Sequence, residues 1–148
     1  MGKGVGINID GVRLTKLKKI SHEKGDILHG LKASDDSYEG FGEAYFTSIH
    51  RDEVKGWKKH LSMTLNLIVP VGEVSFYVYD DNTEETHEYR IGAGEYYRLT
   101  VQPGLWVAFQ GRGDSLNLIL NVGSIEHDPL ESINTPLETF FFGQELKN

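Results

Sequence analysis

The sequence predicts an all-β fold, a barrel or sandwich of short antiparallel strands, and three observations lead to it. Turn-forming residues recur about every 8 to 12 residues through the middle of the chain, a spacing typical of such folds. Apolar side chains alternate with polar ones between the turns, which indicates strands. No stretch shows the repeat of about 3.6 residues expected of a long amphipathic helix. The turn residues are Gly72, Asp81-Asn82, Gly92, Pro103-Gly104, Gly111 and Gly123.

The N-terminal third carries the weaker signals. Alternating apolar residues within the range 5–14 predict a first strand. A turn is expected at Glu23–Asp26, because glycine and aspartate favour turns. A further strand is expected within residues 40–49. Its faces carry Ala44, Phe46 and Ser48 on one side and Tyr45, Thr47 and Ile49 on the other.

Five later segments alternate more clearly and predict the main sheets. Their phase changes after Gly72, which predicts a turn or bulge, since glycine tolerates backbone conformations that other residues resist. The tail after Pro129 is polar apart from Phe140–Phe142, which we expect to dock on the body of the protein or on a partner subunit. The alternating residues are Leu65, Leu67, Val69 and Val71; Val74, Phe76 and Val78; Tyr97, Leu99 and Val101; Leu105, Val107 and Phe109; and Leu116, Leu118, Leu120 and Val122.

Composition narrows the class of protein. The chain has 148 residues, the size of one domain, and we expect residues 1–148 to form a single folded unit. A formal net charge of −7 argues against binding to a nucleic-acid polymer. Without cysteine, the chain has no disulfide, thiolate metal site or cysteine nucleophile. We recognise neither a signal peptide nor an apolar run of the roughly 18 residues that cross a bilayer, and we expect a cytoplasmic protein with no membrane partner.

The densest motif runs from Gly56 to His60 and is followed by Thr64-Leu65-Asn66 and Gly72. It resembles the first motif of the cupin superfamily, which has a glycine, a His-x-His pair, a glutamate and a glycine that closes a hairpin. The later stretch from Gly94 through Pro103-Gly104 to Val107 resembles the second cupin motif. The resemblance covers approximately residues 54–122 and implies a jelly-roll barrel of the RmlC-like cupin type.

The usual metal ligands of a cupin are mostly replaced in this chain. Lys58 stands at the first histidine position, Thr64 or Leu65 at the glutamate, and Trp106 or Val107 at the third histidine. A protein metal site needs about three converging nitrogen or oxygen ligands, and only His60 remains of this set. We therefore expect no metal and no cofactor.

A metal-free branch of the superfamily matches the motif better. The sequence resembles dTDP-4-dehydrorhamnose 3,5-epimerases and dTDP-4-keto-6-deoxyhexose 3,4-ketoisomerases, with Tyr45-Phe46 ahead of Lys55–His60 and a hairpin at Val71-Gly72. In the epimerases an arginine in a turn contacts the nucleotide phosphates, and Lys24 in the turn Glu23–Asp26 matches it. The resemblance implies a nucleotide-sugar ligand and a homodimer, often with exchanged N-terminal strands.

The resemblance also implies catalytic roles. Such enzymes remove a proton beside a ketone and return it elsewhere, so they need a base, a group that steadies an enolate oxygen, and an acid. His60 is the candidate base, since histidine is the usual base near neutral pH. The candidates for the other two roles are Lys58 or Asn66 for the oxygen, and Tyr45, Tyr77 or Tyr97 for the acid.

Further residues are candidates for substrate binding. Lys24, Lys55 and Arg98 would hold the diphosphate, because their charges complement it. Trp57 and Trp106 would either stack on the base or sugar, or fill the barrel as large aromatics often do. A buried amide needs partners, so Asn66 and Asn121, which lie in apolar strands, would either pin a loop or face a ligand.

These observations together predict a metal-free epimerase or ketoisomerase for a nucleotide-linked 4-keto-6-deoxyhexose, in polysaccharide or deoxysugar biosynthesis. Two alternatives stay open. In the first, the protein is a non-catalytic cupin that binds a sugar nucleotide, having lost standard catalytic residues such as the histidine replaced by Lys58. In the second, it is a small-molecule cupin isomerase or lyase that still uses a metal.

Overall fold

Regular structure in residues 10–140 and 142, which the computed structural model describes, is almost entirely β-strand. The strands are β1 (Val12–Lys16), β2 (Lys19–Ile20), β3 (Ile27–Leu28), β4 (Glu43–Ser48), β5 (Val54–His60), β6 (Leu65–Val71), β7 (Glu73–Asp80), β8 (Glu85–Gly92), β9 (Tyr97–Val101), β10 (Trp106–Gly111), β11 (Leu118–Gly123) and β12 (Ser132–Asn134). Single 3-10 turns at Pro129–Glu131 and Leu137–Thr139 flank β12. The all-β prediction is confirmed. Within these residues no helix has the length and apolar character to span a membrane.

Two five-stranded antiparallel sheets enclose the core. The first sheet has the order β1-β9-β6-β11-β4 and the second has the order β12-β5-β10-β7-β8, while β2 and β3 form a separate hairpin. Inward-facing residues of β6, such as Leu65 and Leu67, share one cluster with Phe76 of β7 and Val107 of β10. The predicted alternation therefore marks the buried face in these strands. The predicted turn at Gly72 joins β6 to β7, and its φ of 83° is one that glycine adopts readily.

The apolar alternation of β11 lies on the outer face of its sheet. Leu118 and Leu120 are half-buried there, whereas Ile119 and Asn121 are buried and face inward. Leu120 is sheltered because it packs on a small outer cluster that includes Ile68. The period of the pattern predicted the strand, but the leucines do not mark the face that meets the core.

The sequence did not predict β8 and β12, and one predicted strand lies outside the described residues. Both β8 and β12 are edge strands, and β8 is largely polar, with Tyr89 and Ile91 as its buried apolar side chains. The predicted turn at Glu23–Asp26 is present, since Gly25 donates a backbone hydrogen bond to the carbonyl of His22 between β2 and β3. The predicted strand at residues 5–9 falls outside the described range.

A bulge in β5 decides which of its side chains reach the interior. Trp106 lies opposite Lys59 but Phe109 lies opposite Lys55, so β5 holds one extra residue between these pairs. A regular strand would place residues 55 and 58 on opposite faces, and the extra residue brings both to the inner face. Gly56 at the bulge has a φ of 142°, and a Cβ added there would lie 2.6 Å from the Cα of Ala108. The bulge therefore requires glycine.

Arg98 of β9 ties a loop to the outer face of the first sheet. Its guanidinium donates to the carbonyl of Gly30 at 2.7 Å and to Ser37 Oγ at 2.8 Å. It also lies 3.3 Å from the carboxylate of Asp35, and only 2% of Arg98 is exposed. These bonds hold the segment between β3 and β4 against the sheet.

The substitution Arg98→Met is expected to lower the free energy of unfolding by about 2 to 4 kcal/mol, because it leaves buried acceptors without their donor. Urea unfolding would measure this loss. The matched control is Arg13→Met, since Arg13 is 57% exposed and 3.8 Å from Asp36, and we expect it to cost at most about 0.5 kcal/mol. Equal losses in the two variants would contradict a structural role for Arg98.

Candidate active site

A cavity of about 290 Å³ lies between the two sheets. The first sheet contributes Tyr45, Thr47 and Asn121 to its wall, and the second contributes Lys55, Gly56, Lys58, His60 and Asn134. The rest of the lining is apolar: Leu65, Leu67, Phe76, Val107, Phe109 and Ile119. A mostly apolar cavity with a few converging polar groups is typical of a small-molecule site.

His60, the last residue of β5, is paired with Glu131. The Nδ1 atom of His60 lies 2.9 Å from Oε1 of Glu131. The other carboxylate oxygen accepts backbone hydrogen bonds from Ser62 at 3.0 Å and Met63 at 2.8 Å. Asp128 caps the 3-10 turn that carries Glu131 by accepting from the backbone nitrogen of Leu130. The Glu131 side chain, 5% exposed, is therefore fixed in position.

The environment of Glu131 sets the tautomer of His60. Burial alone would raise the pKa of Glu131, but hydrogen bonds from His60, Ser62 and Met63 outweigh burial and hold that pKa below its usual value. Glu131 is thus a carboxylate at neutral pH, and a carboxylate only accepts hydrogen bonds. In the neutral imidazole the hydrogen is therefore on Nδ1, and Nε2 keeps a lone pair. This is the arrangement of a general base.

Two lysines add positive charge to the cavity. The bulge in β5 turns both Lys55 and Lys58 toward it. Lys55 Nζ donates to the carbonyl of Ser48 at 3.1 Å. Within the described part of the chain, no group of three or more His, Asp or Glu side chains is placed to hold a metal ion. Paired ammonium groups attract an anion, so the donor set suits an anionic ligand.

Tyr45 and Asn121 form the polar part of the opposite wall. Asn121 Nδ2 donates to the hydroxyl oxygen of Tyr45 at 2.9 Å, which leaves the tyrosine hydrogen to donate elsewhere. Asn121 is 7% exposed, and its Oδ1 has no hydrogen-bond partner among the described residues. A buried acceptor without a donor is costly, so this amide suits a ligand that brings a hydroxyl.

Of the two asparagines considered from the sequence, Asn66 pins a loop. Its Nδ2 donates to the carbonyl of Ser37 at 3.1 Å, and its Oδ1 accepts from Thr100 Oγ1 at 2.6 Å. Asn66 lies on the outer face of β6, while its neighbours Leu65 and Leu67 line the cavity. The predicted contact of Asn66 with substrate or with an enolate oxygen is therefore wrong for this chain.

The two tryptophans pack on the outer face of the second sheet. Trp57 has no exposed surface, and its ring lies against Phe140 and Phe142. Trp106 belongs to the same cluster, and its Nε1 lies 3.3 Å from Asp81 Oδ2. Neither ring lines the cavity. Both tryptophans therefore have the packing role that was one of the two expectations. The other expectation, stacking on the base or sugar of a ligand, is wrong for this cavity.

Arg98 and Lys24 also lie away from the cavity of their own chain. The guanidinium of Arg98 is engaged by the loop on the outer face of the first sheet, so its predicted bond to a diphosphate is wrong. Lys24 is exposed in the β2–β3 turn, where its backbone nitrogen donates to His22 Nδ1 at 3.0 Å. Of the three candidate acids, Tyr45 lines the cavity. Tyr77 donates to Gln110 and packs in the cluster of Trp57, and Tyr97 packs against the main apolar core.

Three polar groups of this region were missed by sequence reasoning. Glu131, Asn134 and Thr47 gave no local signal, although Thr47 was placed on the same strand face as Tyr45. Glu131 lies 71 residues from His60 in a polar tail. The nearby Asp128-Pro129 pair was a visible turn signal, but the partner of that turn depends on tertiary structure.

Comparisons with known proteins place the chain in a family. No protein-family model and no curated protein gives a significant match. Among solved structures, a dTDP sugar isomerase from Desulfovibrio desulfuricans G20 is 30% identical, with a TM-score of 0.86 over 93% of this chain and 95% of that chain. The chain belongs to the dTDP sugar isomerase family.

More distant structures share the fold of this family member. QdtA, a sugar 3,4-ketoisomerase from Thermoanaerobacterium thermosaccharolyticum, is 18% identical, with a TM-score of 0.74 over 85% of this chain and 89% of that chain. The dTDP-4-dehydrorhamnose 3,5-epimerase from Sulfolobus tokodaii is 16% identical, with a TM-score of 0.77 over 87% of this chain and 79% of that chain. The predicted RmlC-like cupin fold is thereby confirmed.

Glu131 should make stability depend on pH. Its folded-state pKa is lowered, so its carboxylate adds stability at neutral pH that is lost as the pH falls through that lowered pKa. We expect Glu131→Gln to lower the free energy of unfolding by about 1 to 3 kcal/mol at neutral pH, with a smaller difference from wild type in acid. Urea unfolding measured from neutral to acidic pH tests this expectation. The control is Glu126→Gln, because Glu126 is exposed. A difference that stays constant with pH would count against the ionised pair.

Proposed function

We propose that this family member epimerises or isomerises a nucleotide-linked 4-keto-6-deoxyhexose by proton transfer through an enolate, without a metal. The observation that carries the proposal is the His60–Glu131 pair at a cavity that also presents a tyrosine and two lysines. Its 30% identical relative is a dTDP sugar isomerase, and QdtA is a sugar 3,4-ketoisomerase that was solved with TDP. Both support a sugar nucleotide as the ligand.

The first step is removal of a proton from the carbon beside the ketone. The lone pair of His60 Nε2 takes the proton, the C–H electrons form a carbon–carbon double bond, and the carbonyl electrons move to oxygen. Glu131 stabilises the imidazolium that forms, because its carboxylate lies 2.9 Å from Nδ1. The Lys58 ammonium, which lines the same cavity, stabilises the enolate oxygen in this proposal.

The second step returns a proton, and its position decides the product. His60 and Tyr45 lie on walls from different sheets, so they can act on opposite faces of a ring held between them. Donation of a proton from Tyr45 to the same carbon inverts that carbon, which is epimerisation. The proton on His60 then passes through solvent to the Tyr45 phenolate, so that both groups return to their starting states. Donation to the former carbonyl carbon, with loss of the neighbouring hydroxyl proton, moves the ketone. The placement on two walls favours inversion.

The remaining polar groups bind the substrate in this proposal. Lys55 attracts the diphosphate, since it is the second cation of the cavity wall. The unpaired Oδ1 of Asn121 accepts a hydrogen bond from a hydroxyl of the sugar. Lys24 would reach a phosphate only from another copy of the chain, so its role stays a prediction that depends on assembly.

We propose a homodimer as the working state. The β2–β3 hairpin exposes Ile20, Ile27 and Leu28 by 37, 55 and 39%, and an isolated two-stranded ribbon is marginal in water. Phe41 and Phe46 are each 63% exposed as well. A second copy that covers these apolar side chains explains why they are tolerated. The cytoplasmic location and the single-domain organisation stay predictions.

The substitution His60→Asn tests the catalytic proposal. In deuterium oxide, the wild type should incorporate deuterium beside the ketone of dTDP-4-keto-6-deoxyglucose, and the variant should do so about 10² to 10⁴ times more slowly. Proton NMR measures the exchange and shows whether the carbon is inverted or the ketone has moved. His127→Asn is the control, since His127 is exposed and outside the cavity. Unchanged exchange in a folded His60→Asn protein would sink the mechanism, and binding of dTDP by a wild type without any exchange would support the non-catalytic alternative.

The substitution Ile27→Glu tests the homodimer. A charge in an apolar interface opposes association, so the variant should be a monomer at concentrations where the wild type is a dimer. Light scattering coupled to gel filtration measures the mass. Glu84→Gln, at an exposed position in the turn between β7 and β8 of the second sheet, is the control and should keep the wild-type mass. A monomeric wild type would rule out this proposal.

A further inference from the structure

We propose that Phe140 and Phe142 are positioning residues, which act through the C-terminal segment (residues 129–140 and 142) to hold Glu131 against His60 and Asn134 at the cavity. The inference rests on the proposed function only in that the cavity is taken as the active site. The position of Glu131 beside His60 would then depend on an aromatic cluster on the outer face of the second sheet.

The C-terminal segment is the strand neighbour of the base. β12 pairs with β5 so that Ser132 lies opposite His60 and Asn134 lies opposite Lys58. Asn134 also lines the cavity. The backbone nitrogen of Leu61 donates to the carbonyl of Glu131 at 2.7 Å. One short segment therefore brings two polar side chains to the site.

The far end of the segment is clamped on Trp57. The Trp57 ring stacks on Phe142 at 4.9 Å between centroids and meets Phe140 edge-on at 5.3 Å. Phe140 also stacks on Tyr79 at 3.9 Å, and Phe142 meets Tyr77 edge-on at 4.8 Å. Trp57 Nε1 donates to the carbonyl of Leu137 at 3.1 Å. Backbone bonds between Trp57 and Thr135 extend the pairing of β5 beyond β12.

Apolar burial in the segment is concentrated at this clamp. Leu130 and Ile133 are 88% and 44% exposed, whereas Phe142 is 9% exposed and Phe140 is half-buried. A three-residue edge strand has too few bonds to hold itself in place, so the two phenyl rings supply the anchoring energy. Because Trp57 faces outward and Lys58 and His60 face inward from one strand, the clamp and the site share β5.

The double substitution Phe140→Ala/Phe142→Ala tests the coupling. With the clamp removed, Glu131 no longer holds the hydrogen on Nδ1 of His60, and the ring shifts toward the Nε2–H tautomer that free histidine prefers. Nitrogen-15 NMR of the His60 ring reads the tautomer without substrate. We also expect kcat to fall at least tenfold, since the base then carries its hydrogen on the wrong nitrogen.

Three comparison variants make the result specific. Glu131→Gln gives the NMR signal of a ring that has lost its carboxylate. Phe140→Leu/Phe142→Leu keeps most of the apolar contact and should restore most of the Nδ1–H signal and of kcat. Leu130→Ala, at the 88% exposed residue of the same segment, should leave both unchanged. If the double alanine protein does not fold by circular dichroism, Phe142→Ala alone takes its place.

The proposal is overturned if the alanine variant keeps the wild-type tautomer and kcat, or if Leu130→Ala perturbs them equally. A failure of the proposed function looks different. A wild type without isomerase activity would refute that function, while the tautomer measurement would still decide whether the aromatic clamp holds Glu131 against His60.

Discussion

The one-residue bulge of β5 is the constraint on which the rest of this structure depends. It lets Lys55 face the cavity together with Lys58 and His60, although the spacing of an unbroken strand would turn it away. The same strand directs Trp57 to the outer face, where the C-terminal segment docks. That segment then returns Glu131 to His60 at the end of β5. The close approach of Gly56 to Ala108 shows why glycine is needed at this point.

The cavity carries positively charged side chains, although the chain as a whole is negatively charged. The protein has a formal net charge of −7, yet two lysines and a histidine line the cavity. The carboxylate that is buried beside them, Glu131, is compensated by three hydrogen bonds, which outweigh the cost of removing it from water. The negative charge of Glu131 thus orients His60, and the positive charges of Lys55 and Lys58 remain available to bind a ligand.

The core-facing side of a strand could be predicted from the sequence where the alternating apolar residues are the ones that meet the core, as in β6 and β7. This prediction failed for β11, because the outer leucines are sheltered by a second cluster while the inward position 121 is an amide. His60, Lys58 and Tyr45 could be found because they lie within one local motif or on a predicted strand face. Glu131 could not, since a contact over 71 residues depends on the pairing of β12 with β5. Arg98 and Asn66 were misplaced for a related reason, as their charge and polarity serve a loop packed on the outer face.

Lys58 brings a positive charge to the position where the motif of metal-binding cupins has its first histidine. Two imidazoles on alternating strand positions would offer two ligands for one cation. An ammonium at the first position repels a cation and attracts an oxyanion instead, while the second position keeps an imidazole whose tautomer is set by Glu131. A base with a free Nε2 and a cation two residues away on the same strand face are the groups that an enolate needs. Lys58 therefore supplies the positive charge that the proposed enolate chemistry requires.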